Sequence, residues 1–183
     1  MTTVTHPVSL ACYEHLTLSG YLASAGAAAN HHQLRLQGVC VTDARGRQAP
    51  ASAPVPRSLT AGCQVDRLWQ CDKPGFLREH RLDSWTHTEQ MRKVSPQRLE
   101  VRDAFHWHNG RSVASRSYRV EATGPHTIRR KLSDWQVEMG GVAWYVRPFV
   151  ESAMRRELPK VERKVATALE EIGRAGADDG RAA

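Results

Sequence analysis

The closing segment of the chain constrains the fold most. After about six strand-like runs crowded before Gly140, one amphipathic run extends from Tyr145 to Ile172. Val150, Met154, Leu158, Val161, Val165, Ala168, Leu169 and Ile172 recur at three- and four-residue steps, while Arg155, Arg156, Lys160, Glu162, Arg163, Glu170 and Glu171 take the other side. A lone helix cannot bury its own apolar stripe, so it must lie across the concave face or the open end of an antiparallel sheet. Pro148 suits a first helical turn. Pro159 lies inside the run, removes one backbone hydrogen bond, and predicts a kink near Leu158 that bends the helix around the sheet. Such a geometry leaves a space between helix and sheet.

The residues before Gly140 read mostly as strands. Met1 to Cys12 lacks a period and reads as a lead-in arm. Tyr13 to Leu22 alternates, with Leu16, Leu18 and Leu22 on one face, and Ala23 to Asn30 is a short helix or a loop. In His31 to Thr42, Leu34 and Leu36 share a face until Gly38, after which Val39 and Val41 take the opposite parity, which predicts a bulge there. Asp43 to Gly46 is a turn, and Gln48 to Arg57, with Pro50, Pro54 and Pro56, is a surface loop fit to serve as a lid. Cys63 to Cys71 is a strand. An antiparallel meander follows through Phe76 to Leu82, Trp85 to Lys93, Gln97 to Trp107, Ser112 to Ala122 and Thr127 to Met139, with Asn109-Gly110 as a hairpin turn. Residues 1–172 are therefore read as one domain and Gly173 to Ala183 as a polar, disordered tail.

Composition removes several classes of function. A chain of 183 residues can bury a core without staples. With neither a leading basic and apolar segment nor eighteen consecutive apolar residues, it is expected to be cytoplasmic, without membrane insertion. The spacing of Cys12, Cys40, Cys63 and Cys71 suits neither zinc nor a disulfide framework, so the thiols are read as reduced. The net charge of +7 points toward nucleic acid, but the 21 arginines are scattered without a basic run, and a solvated surface is the stronger reading. The excess of Arg over Lys and the abundant Ala fit a GC-rich bacterial source. No nucleophile elbow, phosphate-binding loop, dinucleotide fingerprint or Cys-X-X-Cys is present, and no cofactor is expected.

The strand parities bring out candidate chemistry. Leu99, Val101, Asp103, Phe105 and Trp107 share one face, which sets a carboxylate in an apolar stripe. Asp103 is then a structural ion pair, a residue turned outward by a bulge, or a polar anchor or general base in a pocket. Trp85, His87, Glu89 and Met91 share another face, where a histidine beside a carboxylate can move protons near neutrality. Arg116, Tyr118 and Val120 form a third; the arginine and phenol can meet an oxyanion, or Arg116 can simply pair with Asp103 or Glu89. His106 and His108 have metal-like spacing, but His106 falls on the polar face and no acidic ligand follows, so no metal is expected. Trp69, Trp85, Trp107 and Trp135 lie on inward parities, and with Phe105, and Met154 of the helix, they fill a core or line a pocket.

The second half resembles the helix-grip superfamily of START domains, Bet v 1-like allergens and bacterial polyketide cyclases. The resemblance rests on Ser84-Trp85-Thr86-His87-Thr88, the strands Arg98 to Trp107, Ser112 to Ala122 and Thr127 to Met139, and the helix from Pro148 to Ile172. It implies an α+β fold in which a curved antiparallel sheet wraps a long C-terminal helix and encloses an apolar cavity. Members normally begin with one strand and two short helices. Here Tyr13 to Leu22 and His31 to Thr42 read as strands, so a calycin-like eight-stranded barrel with a C-terminal helix remains the alternative. The function implied is binding of a hydrophobic or polyketide-like small molecule, with cyclisation promoted by substrate folding. Asp103 or His87 would move a proton, Arg116 or Tyr118 would stabilise oxyanion charge, and Trp69, Trp85, Glu89, Phe105, Trp107, Trp135 and Met154 would contact the ligand. A non-catalytic carrier and a basic module for nucleic acid or an acidic partner are the competing readings, and a homodimer is left open.

Overall fold

The computed structural model describes residues 1–28, 33–50, 54–72 and 84–179. Strand β1 spans Thr2–His6. Ser9 then caps a helix, its side-chain oxygen accepting from the Cys12 amide at 3.1 Å, and α1 (Leu10–Leu18) is followed by α2 (Tyr21–Ala28). This corrects the lead-in arm and the strand expected from Tyr13 to Leu22. The buried residues of α1 are Leu10, Tyr13, Glu14, Thr17 and Leu18, a helical period in which two positions are polar. Buried Glu14 is satisfied by the Leu59 amide and by Lys93.

The remaining strands are β2 (Gln33–Thr42), β3 (Gln64–Asp72), β4 (Ser84–Ser95), β5 (Arg98–Trp107), β6 (Ser112–Gly124), β7 (Thr127–Leu132) and β8 (Gln136–Met139). The register of β2 shifts between Leu36 and Gly38, where the change of apolar parity calls for a bulge. The single strand expected over Thr127 to Met139 is two: β7 and β8 lie end to end along β6, pairing with its Tyr118–Gly124 and Ser112–Ser115 halves. The strand expected at Phe76 to Leu82 lies outside the described residues.

All pairings are antiparallel, in the order β1-β7-β6-β5-β4-β3-β2 with β8 beside β6. Among the described residues β1 and β2 do not pair with each other, so the curved sheet is open. The calycin-like barrel is thereby overturned. Helix α3 (Arg147–Asp179) buries Val150, Met154, Leu158, Val165, Ala168 and Leu169, the stripe read from the sequence, and leaves Pro159 exposed. It continues past Ile172 into the segment read as tail. Gly173 sits against the Pro7 carbonyl, where an added Cβ would collide with backbone, so this residue packs on the link between β1 and α1. Antiparallel sheet, opening strand and helix pair, and long final helix are compatible with a helix-grip fold. Among the described residues no helix is long and apolar enough to cross a membrane.

Candidate functional site

Antiparallel register aligns the inward positions of β3, β4, β5 and β6 into rows across the sheet. Val65, Met91, Val101 and Tyr118 form the lowest; Arg67, Glu89, Asp103 and Arg116 lie directly above. The next row is Trp69, His87, Phe105 and Ala114, and the uppermost is Cys71, Trp85 and Trp107. One complete row of the buried face is thus charged. It runs between two apolar clusters, a lower one containing Tyr13, Leu99, Val120, Ile128 and Leu169 and an upper one containing Trp85, Trp107, Met154 and Leu158.

Every charge in this belt has a partner, as burial requires. Arg67 Nη2 donates to Glu89 Oε2 at 2.6 Å, while its Nη1 donates to the Thr17 and Leu18 carbonyls and caps the last turn of α1. Asp103 turns inward, not out through a bulge. Its Oδ1 faces His87 Nε2 at 3.4 Å and its Oδ2 accepts from Arg116 Nε at 3.4 Å. Arg116 Nη1 lies 2.6 Å from Glu162 of α3, and Arg130 of β7 donates to that same carboxylate. The Arg116 guanidinium also stands over the rings of Trp135, 4.5 Å from its centroid, and Tyr118, at 5.1 Å.

Opposing forces set the protonation of these groups. Burial pushes the Asp103 carboxyl up, but its bond to His87 and the charges of Arg116 and Arg130 outweigh that and hold it below the usual carboxylate range. Burial likewise raises Glu162, and Arg130 and Arg116 bring it below its ordinary value. For Glu89 burial wins over Arg67, with Asp103 adding to the rise. Burial, reinforced by Asp103, lifts Tyr118 well above its ordinary value and keeps it a phenol.

Between this face and the helices lies a cavity of about 310 Å³. Trp85, Phe105, Trp107 and Trp135 wall it on the sheet side, and Met154, Leu158 and Val161 on α3. The rings contact one another: Trp85 and Trp107 at 6.1 Å between centroids, Phe105 and Trp135 at 5.4 Å, and His87 stacked on Phe105 at 4.5 Å. Among the described residues, helix α2 contributes Leu22 and the small residues Ala23, Gly26 and Ala27. Gly26 allows α2 to approach α3 closely, since a Cβ there would stand 2.9 Å from Val161 Cγ1. His87, Glu89, Asp103, Arg116, Tyr118 and Arg130 form the polar floor.

The four residues named for proton transfer and oxyanion contact, Asp103, His87, Arg116 and Tyr118, therefore meet on one cavity, as do Trp85, Glu89, Phe105, Trp107, Trp135 and Met154. Trp69 faces inward but packs on Gly20 and is not among the lining residues. Sequence reasoning missed Arg67, Arg130, Glu162 and Tyr13. The first two occupy inward parities, Arg67 between Val65 and Trp69 and Arg130 between Ile128 and Leu132. The sequence pattern places Glu162 on the polar side of the helix, yet it follows Leu158 by four residues and precedes Val165 by three, which puts it beside the buried stripe. Among the described residues no three His, Cys, Asp or Glu side chains gather as a metal site. No protein-family model matches the chain, and no curated protein matches it.

Proposed function

We propose that this protein binds a hydrophobic small molecule in the cavity between α3 and the sheet. The observation that carries the reading is the wall of Trp85, Phe105, Trp107 and Trp135 facing small residues of α2, around a space of about 310 Å³. That volume falls at the lower end of the range of small-molecule sites, and a polar floor lies beneath otherwise apolar walls. Tyr13, Thr17 and Tyr118 bring hydroxyl groups to the lining, and His87 stands beside them.

Promotion of cyclisation in a polyketide-like ligand is the finer form of this proposal. His87 would carry the proton and Asp103, held ionised, would orient it; a carboxylate below its usual range is itself a weak base. The carrier form draws support from the pairing of Arg116, whose guanidinium already meets Asp103 and Glu162 instead of a ligand oxyanion. A basic interaction module is less favoured. Three arginines are spent inside, and outward Arg119, Arg129 and Lys131 lie among Glu100 and Glu121.

Native mass spectrometry before and after denaturing extraction, with titration by N-phenyl-1-naphthylamine, tests binding. A co-purified molecule or saturable one-to-one binding that Ala23→Phe abolishes is expected. A protein that carries nothing and binds the probe no better than a folded Ala23→Phe variant would end this reading.

A further inference from the structure

Three buried arginines beside a cavity suggest at first a site for carboxylates, sulfates or phosphates. The arrangement argues otherwise. Arg67, Arg116 and Arg130 are matched by Glu89, Asp103 and Glu162, each ion pair lying largely out of water. On the helix side, Glu157 pairs with Lys160 at 2.7 Å, and the lining residue Arg156 is exposed to solvent, apart from the buried belt. Arg116 illustrates the point: one carboxylate lies on Nε and another on Nη1, and its faces are covered by Trp135 and Tyr118. An anionic ligand would find no unpaired counter-ion among these three buried arginines, and a buried charge left unmatched is unfavourable.

Two donors of the lining are left without an acceptor. Trp107 Nε1 and Arg130 Nε are buried N–H donors with no hydrogen-bond partner, and both residues line the cavity. A carbonyl, ether or hydroxyl oxygen satisfies such a donor without adding net charge. We infer that the cavity selects uncharged, oxygen-bearing hydrophobic molecules over anionic ones, and that the internally neutralised belt of three arginines and three carboxylates sets this selectivity. The inference rests on the cavity being the ligand site.

Displacement of N-phenyl-1-naphthylamine from the full chain tests it, with two competitors of equal bulk: 8-anilinonaphthalene-1-sulfonate and the corresponding uncharged sulfonamide. Displacement is read because the sulfonate on its own can light up at exposed aromatic residues such as Trp144. In the wild-type protein the sulfonamide should compete at least tenfold better than the sulfonate. Glu162→Gln, which leaves Arg116 and Arg130 in excess, should shift that ratio toward the sulfonate by tenfold or more. Should that variant not fold, Asp103→Asn serves as the second charge-deficient variant and should shift the ratio in the same direction. Equal competition by the two in the wild type, or a ratio unmoved in a folded variant, overturns the inference and leaves the binding reading standing. Failure of N-phenyl-1-naphthylamine to bind at all removes the binding reading, and the inference with it.

Discussion

The two apolar compartments on either side of the charged belt are built from the same strands, yet one is filled and the other is open. Below the belt, Leu99, Val120, Ile128 and Leu169 are wholly buried, and α1 drives Leu10, Tyr13 and Leu18 into the same cluster. Above it, the sheet presents Trp85, Phe105 and Trp107, but the facing helix α2 offers Ala23, Gly26 and Ala27. Large rings opposed by small side chains cannot interdigitate to native density, so space remains. The cavity is therefore a consequence of what one short helix withholds. The belt between the compartments also fastens α3, because Glu162 is the shared partner of arginines on β6 and β7.

The contrast can be broken most forcefully at the fastening. Glu162→Gln leaves two buried guanidiniums short of a carboxylate and should cost about 3–5 kcal/mol in chemical denaturation. A loss below about 1 kcal/mol would show that Arg116 and Arg130 hold α3 without it. Next in size is a paired truncation. Leu99→Ala, in the filled compartment, should cost about 3 kcal/mol, and Met154→Ala, which already borders open space, no more than about half of that. Equal losses would mean that the upper compartment is packed as tightly as the lower.

Acid should act on the filled side first. His6 is wholly buried against the lower cluster and has no hydrogen-bond partner at either ring nitrogen; burial, then Arg130, lowers its pKa. Because the unfolded chain takes up this proton more readily, the contribution is intact above the ordinary histidine value of about 6.5 and is lost as the pH falls through it. Asp103 and Glu162, whose pKa values are depressed, keep their contribution above the ordinary carboxylate range and lose it only at lower pH. The denaturation midpoint should fall between pH 8 and 5 in the wild type, and a His6→Leu variant should flatten that limb; an unchanged slope would clear His6. The smallest effect belongs to neither compartment. Trp144, 82% exposed beside Tyr145 and Phe149, should tolerate Trp144→Ser within about 0.5 kcal/mol by thermal melting.

The long helix and the meander were legible because their apolar residues alone carry the period: Leu99, Val101 and Trp107 declare the buried face of β5, and Asp103 comes with them. The same rule failed where buried positions are polar. In α1 the period is Leu10, Tyr13, Glu14, Thr17 and Leu18, and counting only apolar residues leaves the alternation of Leu16, Leu18 and Leu22, which mimics a strand. Arg67, Arg130 and Glu162 escaped for the same reason, since a charged side chain is assumed to face water until its partners are known. Those partners lie on other strands or on α3, so no local pattern carries them. The break between β7 and β8 at Ser133 to Trp135 was hidden by apolar residues that continue on both sides.

The charged belt also restricts how such a chain can change over generations. Arg67, Glu89, Asp103 and Arg116 sit side by side on four consecutive strands, and Asp103 answers to two neighbours at once. Replacing any one of them strands another in a dry interior, so descendants must alter the belt in matched pairs or leave it alone. Apart from His87, which pairs with Asp103, the aromatic rows above carry no such obligation. Drift should therefore reshape the walls of the cavity freely while its floor stays as it is.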